Sequence, residues 1–155
     1  MDSMMIEANI RNLSCAELLY TCIAKLVIYL HDDLIAGLEH YYDPAEQIKE
    51  ILGYTDQLLS KCGQDFDSVT EYQLLVRCLS EQTIVEDNTH RLREKADGGM
   101  SSSMTQNSSD PDATFRAKAG KNHRGYAANL DESDGSAGYV ITDYQLEQNN
   151  YPDRS

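Results

Sequence analysis

Five basic side chains, Arg116, Lys118, Lys121, His123 and Arg124, crowd one short stretch of an otherwise acidic chain. Between 110 and 126 there are 4 Lys and Arg against Asp110 and Asp112, a local +2, whereas the whole sequence sets 13 basic against 26 acidic residues, a net −13. Cations at this density are the groups that contact phosphate oxygens of nucleic acid. The alternative is a solvated, charged loop ahead of a strand. The acidic remainder supplies no phosphate-gripping surface by itself, so most of any DNA-binding area would lie elsewhere.

The other candidate ligands are the thiols Cys15, Cys22, Cys62 and Cys78. None forms a C-x-x-C pair, and no His is spaced to complete a zinc site with them. They read as reduced, buried thiols of a cytoplasmic protein. The N-terminus is not basic and lacks an apolar run ending in a small-residue cleavage site. The longest apolar run, around Ile23 to Leu30, is broken by Lys25 and is too short to span a bilayer, so no membrane partner is expected.

The elements that must position these residues divide by composition. Residues 1–97 hold nearly all the long apolar side chains and carry 8 Lys and Arg against 18 Asp and Glu. Residues 98–155, rich in Ser, Asp, Asn and Gly, have only Leu130, Val140, Ile141 and Leu146 as branched aliphatics. That is too little apolar surface to offset the entropy of ordering the second stretch alone.

Three helices are expected in the first stretch. Ser14 and Glu17 form a capping box ahead of the apolar stripe Leu18, Leu19, Cys22, Ile23, Leu26, Val27 and Leu30. This helix runs to about His31, with a possible kinked continuation to Tyr42. The second opens at Asp43-Pro44, buries Ile48, Ile51, Leu52, Leu58 and Leu59, and stops at Gly63. The third opens near Asp67 or Ser68, with Glu71 completing a box from Ser68. It buries Tyr72, Leu75, Val76, Leu79 and Val85, and runs through Arg91–Lys95 to Gly98-Gly99. Short connections favour antiparallel packing, with Tyr20, Tyr29, Tyr41, Tyr42, Tyr54 and Tyr72 at the rim of the core.

Beyond Gly99, residues 100–109 read as a loop and Asp110-Pro111-Asp112 as a turn. The basic segment follows as a further loop. Residues 125–130 and 138–144 read as two short strands joined by 131–136, with Asp134-Gly135 as the turn.

Several segments together resemble transposases of bacterial insertion sequences, the DDE type with a ribonuclease-H-like catalytic domain. Asp2-Ser3-Met4-Met5-Ile6-Glu7-Ala8-Asn9 resembles their D-S-x-x-I-x-A-N segment on the first core strand. The run Gln106 to Leu130, with D-P-D-A, K-A-G-K and G-Y-A-A-N in that order, is the more specific match. Residues 72–87, Gly98-Gly99-Met100 and 144–150 also read like this group, so the resemblance covers essentially the entire chain. It departs at Ser108, where these proteins commonly have proline, and at Pro152 and Arg154.

The resemblance implies an α+β fold: a partial ribonuclease-H-like core, made of a first strand and a β-hairpin, with a three-helix insertion. Residues 1–10 would be the first strand, 14–97 the helical insertion, 98–109 a mobile loop, and 110–148 the basic loop and β-hairpin. The tail after Gln148 is expected to pack poorly. Such enzymes cut and rejoin DNA with two Mg²⁺ or Mn²⁺ ions held by carboxylates from separated parts of the chain. Asp2 would be the first member of the Asp-Asp-Glu triad, catalytic and metal-binding. The alternative for Asp2 is a polar residue at a frayed terminus. Asp110 and Asp112 belong to the D-P-D-A segment and Asp143 to the second hairpin strand, so none of them completes the triad.

The expectation is therefore an inactive piece of a transposase that would not bind metal stably alone. Its intact parent would take DNA as partner. The piece itself could form a homo-oligomer or associate with a full-length relative. A second class of reading is an acidic helical protein-interaction module; a DNA-binding regulator is disfavoured by the −13 charge.

Overall fold

The computed structural model describes residues 2–8, 13–30, 48–99, 101–135 and 138–150. Among the described residues it is an α+β protein with three α-helices and antiparallel sheets. The chain divides into two compact units, Asn12–Met100 and Met1–Arg11 with Ser101–Ser155.

In the first unit, α1 (Cys15–Leu30), α2 (Ile48–Cys62) and α3 (Thr70–Gln82) enclose an apolar core. The capping box at the head of α1 is formed: the Ser14 N–H donates to Glu17 Oε2 at 2.8 Å, and the Glu17 N–H donates to Ser14 Oγ at 3.2 Å. In the stripe of α1, Leu19, Cys22, Ile23, Leu26 and Val27 are fully buried with Ile51, Leu58, Leu75 and Cys78, and Leu30 is partly buried at its end. Each such aliphatic removes enough apolar area from water to contribute roughly 1.5–3 kcal/mol. Tyr20, Tyr54 and Tyr72 pack at the edge of this core, whereas Tyr29 is exposed. The Cys22 and Cys78 thiols share a hydrogen bond, which together with burial pushes Cys78 well above the ordinary thiol range. Cys62 is also a buried free thiol. The expected continuation of α1 to Tyr42 and the Asp43-Pro44 start of α2 lie outside the described residues.

The third helix is shorter than its sequence pattern predicts. It starts after Val69, without a side-chain cap from Ser68, and ends at Gln82. Residues 83–92 form a β-hairpin of β2 (Thr83–Glu86) and β3 (Thr89–Leu92). Thr83, Ile84 and Val85 are β-branched, stiff at χ1 and suited to a strand. Asp87 and Asn88 take φ of 51° and 60°, the left-handed pair of a type I′ hairpin turn. Val85, expected in the core, is 64% exposed, and Val76 is exposed too.

Arg91 ties this hairpin down. Its guanidinium donates to Glu86 Oε2 at 2.6 Å and to both carboxylate oxygens of Asp97, at 2.7 and 3.1 Å. Arg93 donates to the carbonyls of Glu81 and Asp97. Among the described residues, no helix is long and apolar enough to cross a membrane.

The second unit is built around one long strand. β5 (Lys121–Gly135) pairs antiparallel with β1 (Asp2–Glu7) along one edge. Its other edge takes β4 (Thr114–Lys118) at residues 121–125 and then β6 (Gly138–Gln148) at residues 126–135. The strands of the second hairpin outrun their sequence pattern: residues 131–135, expected in the loop, continue the ladder to Gly135↔Gly138. A bulge between Asp131 and Glu132 takes up Thr142, whose hydroxyl donates to the Asp131 carbonyl at 3.1 Å. The basic segment, expected as a loop, is also strand, because Ala119 and Gly120 supply a two-residue turn at φ 51° and 75°.

Two consequences are measurable. The Arg91 guanidinium holds the Asp97 carboxyl down from its ordinary 3.8 to about 2. A depressed carboxylate adds stability above its unfolded pKa and loses it as pH falls through the folded one. Asp97→Asn should therefore unfold more easily at neutral pH, and the difference should vanish between about pH 4 and pH 2 in urea titrations. At Gly125, φ is 140° and an added Cβ would collide with the Ile6 carbonyl oxygen and the Ala8 nitrogen. Gly125→Ala should cost about 2–4 kcal/mol and strip hydrogen-exchange protection from β1.

Candidate nucleic-acid interface

Side chains alternate across a strand, so register decides which cations meet. Arg116 pairs with His123 and Lys118 with Lys121, which puts these four on one face of the β4–β5 hairpin. Arg124 pairs with Phe115 and lies on the opposite face. The five-residue basic cluster of the sequence is thus split four to one.

The four differ in restraint. Arg116 Nη1 donates to the Asn149 carbonyl at 3.4 Å. His123 Nδ1 lies 3.5 Å from Glu7 Oε1 across the β1–β5 pair. Lys118 and Lys121 occupy directly opposite positions beside the turn. Like charges directly opposite destabilise a ladder, and an anion bridging them relieves the repulsion. Arg124 is engaged on its own face: it sits 5.5 Å from the Phe115 ring centroid, and its Nε donates to Gln106 Oε1 at 3.2 Å.

Asn149, placed by sequence reasoning in a poorly packed tail, is wholly buried. It fills the junction where β6 stops and β4 starts. Its Oδ1 accepts from Thr114 Oγ1 at 2.8 Å, and its Nδ2 donates to the His123 carbonyl at 3.2 Å. Gln148 Nε2 donates to the Asp112 carbonyl at 3.0 Å. The chain before β4 is irregular, as composition predicts, yet Thr105, Asn107 and Ser108 in it are buried. It is pinned by Gln106 to Arg124 and by Asp110, whose Oδ1 accepts from the Tyr126 hydroxyl at 2.7 Å. That bond pushes the Tyr126 hydroxyl up to about 12. Sequence periodicity carries no sign of these side-chain ties; only the small polar residue types hint at them.

Asp2 opens β1, with its backbone opposite Leu130. Asp110 is taken by Tyr126, and an Asp143 oxygen accepts from the Tyr144 N–H at 2.8 Å. Among the described residues, no group of three or more His, Cys, Asp or Glu side chains is placed to share a metal ion. The described donors do not fit the cation pair that the resemblance implies. What the arrangement offers chemically is a compact basic face on the β4–β5 hairpin.

Comparison with family models, with curated proteins and with solved structures finds no match for this chain.

Removing the Tyr126 hydroxyl should free the segment before β4 without disturbing the helical unit. Tyr126→Phe should cost roughly 1 kcal/mol in denaturant melts. It should raise amide exchange at 105–110 and leave α1 unchanged.

Proposed function

We propose that this chain is a piece of a transposase core whose parent cleaves and rejoins DNA, and that the β4–β5 hairpin contacts the DNA backbone. The observation that carries the reading is the convergence of Arg116, Lys118, Lys121 and His123 on one face of the hairpin. That hairpin shares β5 with the strand that Asp2 opens. Phosphate contacts of this kind position a duplex without reading its sequence. In this reading Asp2 is one of three triad carboxylates, Mg²⁺ or Mn²⁺ would be held only when the other two are supplied, and the protein works in the cytoplasm. One carboxylate cannot hold a cation pair, so the chain alone binds DNA weakly and does not cut it.

A labelled duplex of about 20 base pairs, titrated by anisotropy at low salt, tests the reading. Three fixed cations give a slope of log K on log salt of about −2.7, and Lys118→Ala or Lys121→Ala should each reduce it by about 1. Arg124→Ala should leave the slope unchanged. Absence of binding at about 50 mM salt, or a slope indifferent to both lysines, would refute the interface. With Mg²⁺ or Mn²⁺ we expect no strand cleavage; a metal-dependent nick that disappears in Asp2→Ala would overturn the reading of an inactive piece.

A further inference from the structure

Between α2 and β3 the helical unit has a cleft of about 780 Å³. Small-molecule sites occupy roughly 300–1,000 Å³. One wall is a single stripe of α2, in which Lys49, Leu52, Gly53 and Asp56 recur at helical spacing. The other is β3 with the residues that follow it, from Thr89 to Glu94. Ile48, Leu52 and Leu92, which also pack in the apolar core or at its edge, give the cleft an apolar lining. Gly53 sits in the middle of the stripe, inside the helix. Glycine weakens a helix interior relative to alanine, and nothing within the protein calls for it, because an added Cβ would meet no atom within 4 Å. Its bare backbone widens the cleft and lets an occupant approach closely.

The charges on the walls define that occupant. Asp56 is engaged by His90, whose Nδ1 lies 3.0 Å from Asp56 Oδ1. The Glu94 carboxylate accepts from the Asp97 N–H, and Arg91 is held by Glu86 and Asp97. Arg93 donates to the carbonyls of Glu81, Asp97 and Thr83, neutral acceptors that leave its charge in place. Lys49 has no ion pair among the described residues. The charges left for a ligand are therefore positive. We propose that this cleft binds a small amphiphilic anion, an apolar chain or ring bearing one carboxylate or phosphate. The apolar body lies along Leu52, Gly53 and Leu92. The head group is held by Lys49 on the helical wall, and Arg93 adds to the attracting field. The site belongs to the helical unit and does not rest on the DNA reading.

The test titrates the whole nitrogen-15-labelled chain with decanoate and with decyl phosphate, both below their micelle concentrations, and with decylammonium as the cationic counterpart. Both anions should shift the amides of residues 49–56 and 89–94 saturably, and decylammonium should bind at least about tenfold more weakly. Gly53→Leu, a better helix former with open space for its side chain, should keep the thermal melt and abolish the shifts. Gly53→Ala should weaken binding only in part, and Lys49→Gln should weaken it about threefold. Equal affinity for decylammonium, or shifts that persist in Gly53→Leu, would overturn the proposal. So would shifts confined to the bare apolar face of the sheet, where Met4, Tyr144 and Leu146 are 56%, 75% and 56% exposed. Absence of any shift, or binding to vesicles of anionic lipid without binding of the free anions, would overturn it equally.

Discussion

At Gly125 the backbones of three strands come together. Glu7 of β1 is its partner on one side and Thr114 of β4 on the other, and the Ala8 N–H donates to the neighbouring Arg124 carbonyl at 2.9 Å. The close approach leaves no room for a Cβ, and the positive φ suits glycine alone among ordinary residues. Because β5 is gripped here from both edges, a segment at the start of the chain and a segment more than a hundred residues later become neighbours in one sheet. The β4–β5 register fixes which faces the basic side chains take, and the β1–β5 pairing leaves the helical unit as a sequence excursion between two strands of the other unit.

β5 also serves two neighbours in succession along one edge. β4 and β6 are laid end to end, and the gap between them is closed by a buried amide instead of an apolar side chain. Asn149 uses its carbonyl oxygen and its amino group at once, so an unpaired buried polar group is avoided where two ladders meet. A unit with few long aliphatics holds its shape by ladders and such side-chain ties, while the helical unit relies on a conventional apolar core. The bare face of the sheet is the other side of the same scarcity: nothing in the described part of this unit covers Met4, Tyr144 or Leu146.

Much of the helical unit is legible in the sequence, because a stripe such as Leu19, Ile23, Leu26 and Val27 has only one economical arrangement. The capping box at Ser14 is equally plain. The end of the third helix is not, since Leu75 and Leu79 set a helical period that the sequence pattern carries on toward Val85. The β-branched run at 83–85 and the Asp87-Asn88 turn override it. The basic segment is misread as a loop for a related reason. Its alternation is masked by Ala117 and Asn122, and an Ala-Gly turn is a weaker signal than Asn-Gly. The five basic residues are recognisable as a cluster, but their division into four and one follows from register, which composition does not contain. Asn149 is beyond reach of any pattern, because its role depends on where two other strands end.

The pairing of β1 with β5 is the claim on which the account stands, and cross-strand nuclear Overhauser effects in the isotopically labelled chain measure it directly. The account predicts backbone contacts in the register Met5 with Ala127 and Glu7 with Gly125, alongside those of Phe115 with Arg124. A β1 that shows no contacts to residues 125–130, or pairs with them in a register shifted by one, would contradict it.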